Sequence, residues 1–293
     1  MAVEVHKENP TDLVNLEYTR SELNKLISGM EFQRYLDLPG YLHSSDLKLL
    51  EKSVNHWLSK SAMEQTQALK IGQLGHTLLL EMDKLTERYL VMPKVDARTK
   101  AGKEQKLLAE EQAKNEGKVL ISQEDFTQAL CWRDNIMKHP VTSNVFQKEK
   151  GDNEVSGFYN HPEFDNITGA FRVDKLLQEQ KIAIDLKFML YGNPFAFMSS
   201  VRKFRYDIQA AWYIDGLKVL TGDDYDFIFV VCEKTNPFNV QPYRLSEKSL
   251  EKARDDIRAI VKKYQEYNDA NDNQQDMLSG YYNGIMTLNI NWF

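Results

Sequence analysis

Two aspartates and a lysine lie in a short stretch of this sequence that predicts a β-hairpin. Asp174 belongs to a run of alternating apolar and polar residues, 171–177. Asp185 and Lys187 end a β-branched run, 181–188, and a polar turn separates the two runs. Because side chains of a strand alternate between its faces, Asp185 and Lys187 share one face.

The predicted pairing of the two strands brings the aspartates together. A turn centred between residues 179 and 180 places Asp174 opposite Asp185 and Arg172 opposite Lys187. Carboxylates directly opposite each other repel, at a Cβ separation of roughly 4.5–5.5 Å. A bound cation would neutralise them, so the hairpin predicts a metal site beside a lysine. A charged, solvated hairpin face would explain the same residues.

The residues before Asp185 favour the metal site over the solvated face. Ile182, Ala183 and Ile184 form an uninterrupted apolar run, which is typical of a strand covered on both sides. Charged residues at the end of such a strand are where α/β proteins place their binding sites.

Bulk composition limits the classes of protein that this chain could be. The 293 residues are 42% hydrophobic and 27% charged, which is enough apolar material for a sizeable core. No run approaches the ~18 apolar residues of a membrane helix, and the N-terminus lacks the plan of a signal peptide. Cys131 and Cys232 match no metal or disulfide spacing, so we expect a cytoplasmic location. The net charge of −6 argues against binding nucleic acid through bulk charge, but it allows a local basic channel.

Periodicity predicts helices at both ends of the chain and β-strands in the middle. Residues 1–40 predict a polar leader and a helix capped by Ser21. Further helices are expected at 44–57, 68–87, 123–138, 206–220 and 247–267, and strands at 154–159, 171–177, 181–188, 227–232 and 240–245. The segment 93–118 predicts a loop and an exposed helix.

Four residues outside the hairpin could also contribute to a site, although each has a simpler interpretation. His76 lies within a predicted helix, where a histidine is more often a core residue. Glu154 lies on a predicted strand, where a surface glutamate is the ordinary case. Gln209 and Tyr213, four residues apart, share one helix face that could be merely amphipathic. Gly72 and Gly75, beside His76, would let another element approach its helix closely.

Taken in order, these residues resemble the PD-(D/E)XK nuclease core in its RecB-like branch, which adds a helical Gln-x-x-x-Tyr motif. The chain is most similar to the RecE-type exonucleases (exonuclease VIII) of prophages, over residues 41 to 290. The resemblance rests on Gly72–Glu81, Arg98–Glu104, Phe171-Arg-Val-Asp-Lys175, Asp185-Leu-Lys187 and Tyr206–Gly216. Each motif alone is weak, and the ordered set is specific.

The resemblance implies an α/β fold with a mixed central sheet flanked by helices and a helical N-terminal part. We therefore expect one nuclease domain over residues 1–293, with the core and its helical insertions in 41–293. Phe188 stands where the family commonly has threonine, and Val173 where it tends to have proline. Two distant cysteines exclude the variant of this branch that holds a four-cysteine iron–sulfur cluster.

The resemblance also implies the metal ligands and the catalytic lysine. Mg²⁺, or alternatively Mn²⁺, would be bound by His76, Asp174, Asp185 and the main-chain carbonyl of Leu186. Lys187 would orient or deprotonate the attacking water or stabilise the phosphorane. We expect burial beside a metal ion to depress the pKa of this lysine, which would allow the role of a base.

Further residues receive supporting roles from the same resemblance. Glu154 would bind a second metal ion or order a water. Gln209 and Tyr213 would position the DNA backbone or the carboxylates. Candidate phosphate contacts, which could also form a merely solvated basic patch, are Arg172, Arg202, Lys203 and Arg205.

The activity implied by the resemblance is a processive 5′→3′ exonuclease on double-stranded DNA ends that leaves 3′ single-stranded tails for recombination. A homotetrameric ring, a RecT-type single-strand annealing partner and a prophage gene expressed in the bacterial cytoplasm would accompany it. Two alternatives stay open: another nuclease activity of the same core, such as a single-strand exonuclease or an endonuclease, and a non-catalytic DNA-binding scaffold.

Overall fold

The fold is described by a computed structural model for residues 6–7, 24–60, 66–94, 98–147 and 150–281. Its strands are β1 (His6–Lys7), β2 (Lys25–Ser28), β3 (Leu42–His43), β4 (Tyr89–Val91), β5 (Val119–Ile121), β6 (Asp152–Asn160), β7 (Thr168–Leu177), β8 (Ile182–Met189), β9 (Asp226–Glu233) and β10 (Val240–Arg244). Its α-helices are α1 (Phe32–Asp37), α2 (Ser44–Lys52), α3 (Val54–Leu58), α4 (Gln67–Leu80), α5 (Leu85–Arg88), α6 (Lys100–Asn115), α7 (Gln123–Lys138), α8 (Pro194–Phe204), α9 (Tyr206–Thr221), α10 (Glu247–Asp269) and α11 (Asp272–Ser279). None of the helices in this part of the chain is long and apolar enough to cross a membrane.

The main sheet is mixed, as predicted. Its strands follow the order β1-β2-β6-β7-β8-β9-β10, and β3 pairs with the start of β7. Strands β6, β7 and β8 are antiparallel neighbours, whereas β8 and β9 run parallel. The parallel pair needs a crossover connection, and α8 and α9 form it. Strands β4 and β5 form a separate two-stranded sheet.

Helices cover both faces of the sheet. One face packs against α2, α9 and α10 through a core that includes Leu50, Trp212 and Ile257. The opposite face packs against α4 and α7 through a second core that includes Leu78 and Trp132. The expected α/β architecture, a mixed sheet flanked by helices, is confirmed.

The register predicted for the central hairpin is confirmed, but the strands pair over only part of their length. Lys175 pairs with Ile184, and the ladder continues to the turn. In a regular strand, Val173 and Leu176 would point to opposite faces, because they are three positions apart. Both contact the same core, so the alternation of side chains between the two faces of β7 shifts by one residue around Asp174. The β7–β8 ladder ends at Lys175 and Ile184, so the two predicted pairs beyond it, Asp174 with Asp185 and Arg172 with Lys187, do not form. On its other side, Arg172 lies opposite Ser156 of β6.

The N-terminal helix expected near residues 21–30 is also corrected where the structure describes the chain. Residues 25–28 form strand β2, antiparallel to β6, and a short helix, α1, follows. Leu26 and Ile27 are both buried, in two different cores, because β2 is covered on both faces. Consecutive apolar residues of such a strand resemble a helical stripe. Ser21, the predicted cap, lies outside the described residues.

The close approach expected at α4 occurs at one of its two glycines. A Cβ atom at Gly75 would lie 2.7 Å from the ring of Phe188 and 3.0 Å from Trp132, whereas a Cβ atom at Gly72 would meet nothing within 4 Å. The Phe188 ring stacks on Trp132, with centroids 4.6 Å apart, and meets the His76 ring edge-on. Phe188, which departs from the family pattern, thus joins β8 to α4 and α7.

Replacing Gly75 with alanine is expected to lower the free energy of unfolding by about 1–3 kcal/mol, because two packed rings must shift. Gly72→Ala is the matched control in the same helix, and it should raise stability by roughly 0.5–1 kcal/mol through helix propensity. Urea denaturation of both variants measures the difference. Equal free energies of unfolding for the two variants would mean that the rings of Phe188 and Trp132 can shift without destabilising the protein.

Candidate active site

Three side chains from three elements converge beside the point where β7 and β8 separate. His76 of α4, Glu154 of β6 and Asp174 of β7 each offer one ligand atom, and these atoms all lie within 4.8 Å of one another. The Nδ1 atom of His76 is 3.5 Å from Oδ1 of Asp174. A cluster of imidazole and carboxylate groups at this spacing fits a divalent cation such as Mg²⁺ or Mn²⁺.

Glu154 reaches the cluster through an unusual backbone conformation. Its φ angle is 52°, in the left-handed region, and the β6–β7 pairing skips Glu154 and Asp174 while continuing on both sides. A non-glycine residue held there costs roughly 1–3 kcal/mol, and such residues concentrate at functional sites. The Arg172 guanidinium offsets part of this cost, because it donates a hydrogen bond to Oε2 of Glu154 at 2.7 Å.

Asp185 and Lys187 form the second half of the site, on the side of α9. The Lys187 ammonium lies 2.5 Å from Oδ2 of Asp185. Gln209 donates to the other Asp185 oxygen at 2.6 Å, while its own carbonyl oxygen accepts from Lys187 at 3.4 Å. Gln209 thus fixes both groups, as one of its two predicted roles requires.

The backbone of β8 connects the two halves. The Leu186 N–H donates to Oδ2 of Asp174 at 2.5 Å. Asp174 is therefore held by β8, while Asp185, the neighbour of Leu186, is held by α9. Metal binding by the Leu186 carbonyl stays a prediction.

Tyr213 lies near the carboxylates without joining the cluster. Its hydroxyl lies close to the Ser44 side chain and the Arg172 backbone, both of which lower the pKa of the phenol. Burial, reinforced by the Asp185 carboxylate, raises the pKa of Tyr213 to about 12. The phenol is therefore neutral. Because its hydroxyl lies close to both α2 and β7, Tyr213 supports the position of α9 at the site.

The carboxylates around His76 keep its imidazole protonated. Burial lowers the pKa of His76, but Asp174, Glu154 and Asp185 together raise it to about 9. In return, His76 and the Leu186 N–H lower the pKa of Asp174, against the effect of burial. A metal ion bound by His76 must displace this proton, so metal affinity should rise with pH.

The pKa of Lys187 moves in the direction opposite to the one expected from burial. Burial lowers it, but Asp185, with smaller contributions from Tyr206 and Asp174, raises it above the usual range. This direction holds without a bound cation, so the depression expected beside a metal ion stays a prediction. Lys187 is an ammonium group that can stabilise negative charge or orient water by donating hydrogen bonds.

The four basic residues predicted to contact phosphate have different surroundings. The Arg172 side chain is 7% exposed and also donates to the Met30 carbonyl, so it supports the fold rather than facing solvent. Arg205 is held by three carboxylates, those of Glu51, Asp207 and Asp256. The prediction of phosphate contacts is therefore corrected for these two arginines.

The other two, Arg202 and Lys203, remain candidates for phosphate contacts. Both are exposed at the end of α8, and neither pairs with a carboxylate of the described residues. They are the part of the predicted basic set that a DNA strand could reach.

Two further residues at the site were not predicted from the sequence. The Tyr206 ring lies 4.6 Å from the Lys187 ammonium and 5.6 Å from that of Lys48. Burial and then the charge of Lys187 lower the pKa of Lys48 to about 8. Lys48 occupies a polar position of α2 that looks solvated in the sequence, so only the packing of α2 on α9 shows its proximity.

Replacing His76 with alanine is expected to raise the metal concentration for half-maximal digestion by about tenfold or more, a loss typical of groups that position a metal ion. In the wild type this concentration should fall as the pH rises towards about 9, because the imidazole loses its proton. The variant should show a weaker dependence on pH. Titrations with Mn²⁺ at several pH values measure both effects.

His139→Ala, which changes a histidine outside the cluster, is the control for the same titration. If His76→Ala needs the same metal concentration as the wild type, His76 is an ordinary packed histidine and not a metal ligand.

The fold is similar to that of a solved structure described as an exonuclease. Over 89% of this chain and 96% of the other, with 13% identity and a TM-score of 0.57, the fold matches that of a "Putative exonuclease" from Eubacterium rectale. The alkaline exonuclease of Laribacter hongkongensis covers 77% of the chain and 88% of its own length, at 10% identity. The TM-score of this second comparison is 0.29.

Family membership follows from a sequence model rather than from these structures. No curated protein matches the chain significantly. The family model described as "PDDEXK-like domain of unknown function (DUF3799)" matches residues 42–276, which is most of the chain and contains every predicted site residue. The chain therefore belongs to this family of PDDEXK-like domains.

Proposed function

We propose that this protein is a metal-dependent 5′→3′ exonuclease that degrades one strand of linear double-stranded DNA and leaves 3′ single-stranded tails. The observation that carries the proposal is the convergence of His76, Glu154 and Asp174 within 4.8 Å, next to a lysine bound to Asp185. Membership of the PDDEXK-like family supports the nuclease class. The resemblance to RecE-type exonucleases supports the polarity and the substrate.

The residues of the site suit phosphodiester hydrolysis. A bound divalent cation would supply positive charge against the attacked phosphate and make water a better nucleophile. Lys187 places an ammonium group beside that phosphate, where it can stabilise the charge that develops during attack. Gln209 fixes Asp185 and Lys187 against each other, so the ammonium does not have to reorganise during the reaction.

The cellular setting belongs to the same proposal. We propose that Mg²⁺ is the cation, with Mn²⁺ as a substitute, and that the protein acts as a homotetrameric ring on DNA ends. Its partner would be a RecT-type single-strand annealing protein in phage recombination, in the cytoplasm of the bacterial host. A ring reconciles the net charge of −6 with DNA binding, since exposed cations can line its inner surface.

The decisive experiment is a time course with linear duplex DNA labelled separately at each 5′ and each 3′ end, in Mg²⁺, with covalently closed circular DNA and linear single-stranded DNA in parallel. Early release of the 5′ labels, retention of the 3′ labels and an intact circle are expected. Cutting of the circle would identify an endonuclease, and digestion restricted to single strands would identify a single-strand exonuclease. The mass of the oligomer, measured on the same preparation, tests the ring.

A further inference from the structure

One segment within the second half of the site, between Asp185 and Gln209 in the chain, has a composition unlike the rest of the protein. Residues 186–206 contain four basic residues, six aromatic residues and no aspartate or glutamate, whereas the whole chain has a net charge of −6. This segment follows Asp185 directly, carries Lys187 and ends at the start of α9, the helix of Gln209. Along the chain, its charge and its aromatic rings are therefore flanked by residues of the site, Asp185 on one side and Gln209 on the other.

Several large apolar side chains of this segment face solvent. Phe195 is 82% exposed, Tyr191 62% and Met198 46%. Phe195, Met198 and Arg202 are spaced by three and four residues, so they lie along one face of α8. We call the surface formed by Tyr191, Phe195, Met198, Arg202 and Lys203 the α8 platform.

The inner side of α8 is firmly attached, so the exposure of the α8 platform is not a consequence of a loose helix. Phe197 is buried and stacks on Tyr243, with ring centroids 4.6 Å apart and planes inclined by 14°. Tyr243 also donates to the Gly192 carbonyl at 2.6 Å, and Asn193 caps the helix by accepting from the Ala196 N–H. The rings of the outer face are thus presented in a fixed place.

The charges of the α8 platform select its partner. Arg202 and Lys203 have no carboxylate partner among the described residues, whereas their neighbour Arg205 is bound by three. A second copy docked symmetrically through this face would bring the same cations against each other. A chain of phosphates carrying flat bases satisfies both the cations and the rings, because any base can stack on an aromatic side chain.

We propose that the α8 platform binds single-stranded DNA at the active site, with unpaired bases stacked on Tyr191 and Phe195 and phosphates held by Arg202 and Lys203. This inference rests on the proposed function, in which the reaction leaves a single-stranded 3′ tail. The platform would hold that tail as it forms and keep it from pairing again near the catalytic groups.

The test measures the binding of two fluorescent duplexes in EDTA, where no metal-dependent cleavage occurs. One duplex carries a 3′ overhang of thymidines, and the other carries an overhang of the same length made of abasic units. The wild type should prefer the thymidine overhang, because only this overhang has bases to stack. The double variant Tyr191→Ala, Phe195→Ala should bind it about tenfold more weakly or worse and should lose the preference.

Two controls separate stacking from charge and from general damage. Tyr281→Ala, which removes another tyrosine that is 70% exposed, should change neither affinity. The double variant Arg202→Ala, Lys203→Ala should bind both overhangs more weakly and to the same extent, because only phosphate contacts are lost. Its binding should also depend less on salt concentration.

Each outcome decides the proposal. Unchanged binding of the thymidine overhang by the double variant, or a wild type with no preference between the overhangs, would overturn it. A change in oligomer mass without a change in DNA binding would assign the α8 platform to contacts between protein chains and would overturn it too. Failure of the proposed function looks different: the wild type would then bind the overhang but leave linear duplex DNA uncut in Mg²⁺.

Discussion

Replacing Lys187 with alanine is expected to reduce Mg²⁺-dependent digestion of linear duplex DNA by about 10²–10³-fold, the usual cost of removing one group that stabilises charge in the transition state. The ammonium lies 2.5 Å from Asp185, the carboxylate of β8, and donates to Gln209. Without it, negative charge on the attacked phosphate lacks a partner that is already in place. Rates of nucleotide release at saturating Mg²⁺ measure the loss.

Lys218→Ala is the matched control, because Lys218 is a surface lysine, 47% exposed, that pairs with Asp224. It should leave digestion unchanged. Circular dichroism and thermal unfolding of both variants show whether the fold survives. A folded Lys187→Ala protein that digests DNA at the wild-type rate would remove Lys187 from the mechanism. Asp185→Ala should also abolish digestion, because Asp185 is both a predicted ligand and the anchor of Lys187.

Replacing Arg172 with methionine is expected to lower the free energy of unfolding by about 3–5 kcal/mol, the typical cost of removing one partner of a buried ion pair. The guanidinium is 7% exposed and bonds to Glu154, to the Met30 carbonyl and to Ser156. Burial already raises the pKa of Glu154 despite Arg172. Without the arginine, a buried carboxylate and a backbone carbonyl lose their donor. Urea denaturation measures the loss.

Arg258→Met removes an arginine of a solvated ion pair with Glu163, whose side chains are 42% and 50% exposed. This control should cost less than ~1 kcal/mol, as surface pairs usually do. Adding Glu154→Gln to Arg172→Met should recover part of the stability, because the charge left without a partner is removed. Losses of equal size in Arg172→Met and Arg258→Met would contradict the structural role of Arg172.

The parts of the fold that depend on local signals could be predicted from the sequence. Helix α7 begins and ends as expected, because Ser122 accepts from the Asp125 N–H and a proline follows the helix at residue 140. The hairpin register follows from the position of its polar turn, so Lys175 pairs with Ile184 as predicted. Such features depend on neighbours in the chain, and the chain itself supplies them.

Features that depend on distant partners were not predictable in the same way. The role of Arg172 is decided by Glu154 and by the Met30 carbonyl, which lies 142 positions away in the chain. The approach of Lys48 to Tyr206 likewise exists only after α2 has packed on α9. Helix α8 was missed although its start signal is local: Asn193 caps the helix and Pro194 is its first residue.

The position of the site between two helical layers has a consequence for how activity first appears during synthesis. His76 arrives with the layer of α4 and α7, whereas Gln209 arrives with the layer of α9 on the opposite face of the sheet. A nascent chain that has emerged only as far as β8 holds both aspartates and Lys187 but has no Gln209 to align them. The complete catalytic arrangement therefore forms only after both layers have docked, so incompletely folded molecules should leave the DNA of the cell intact.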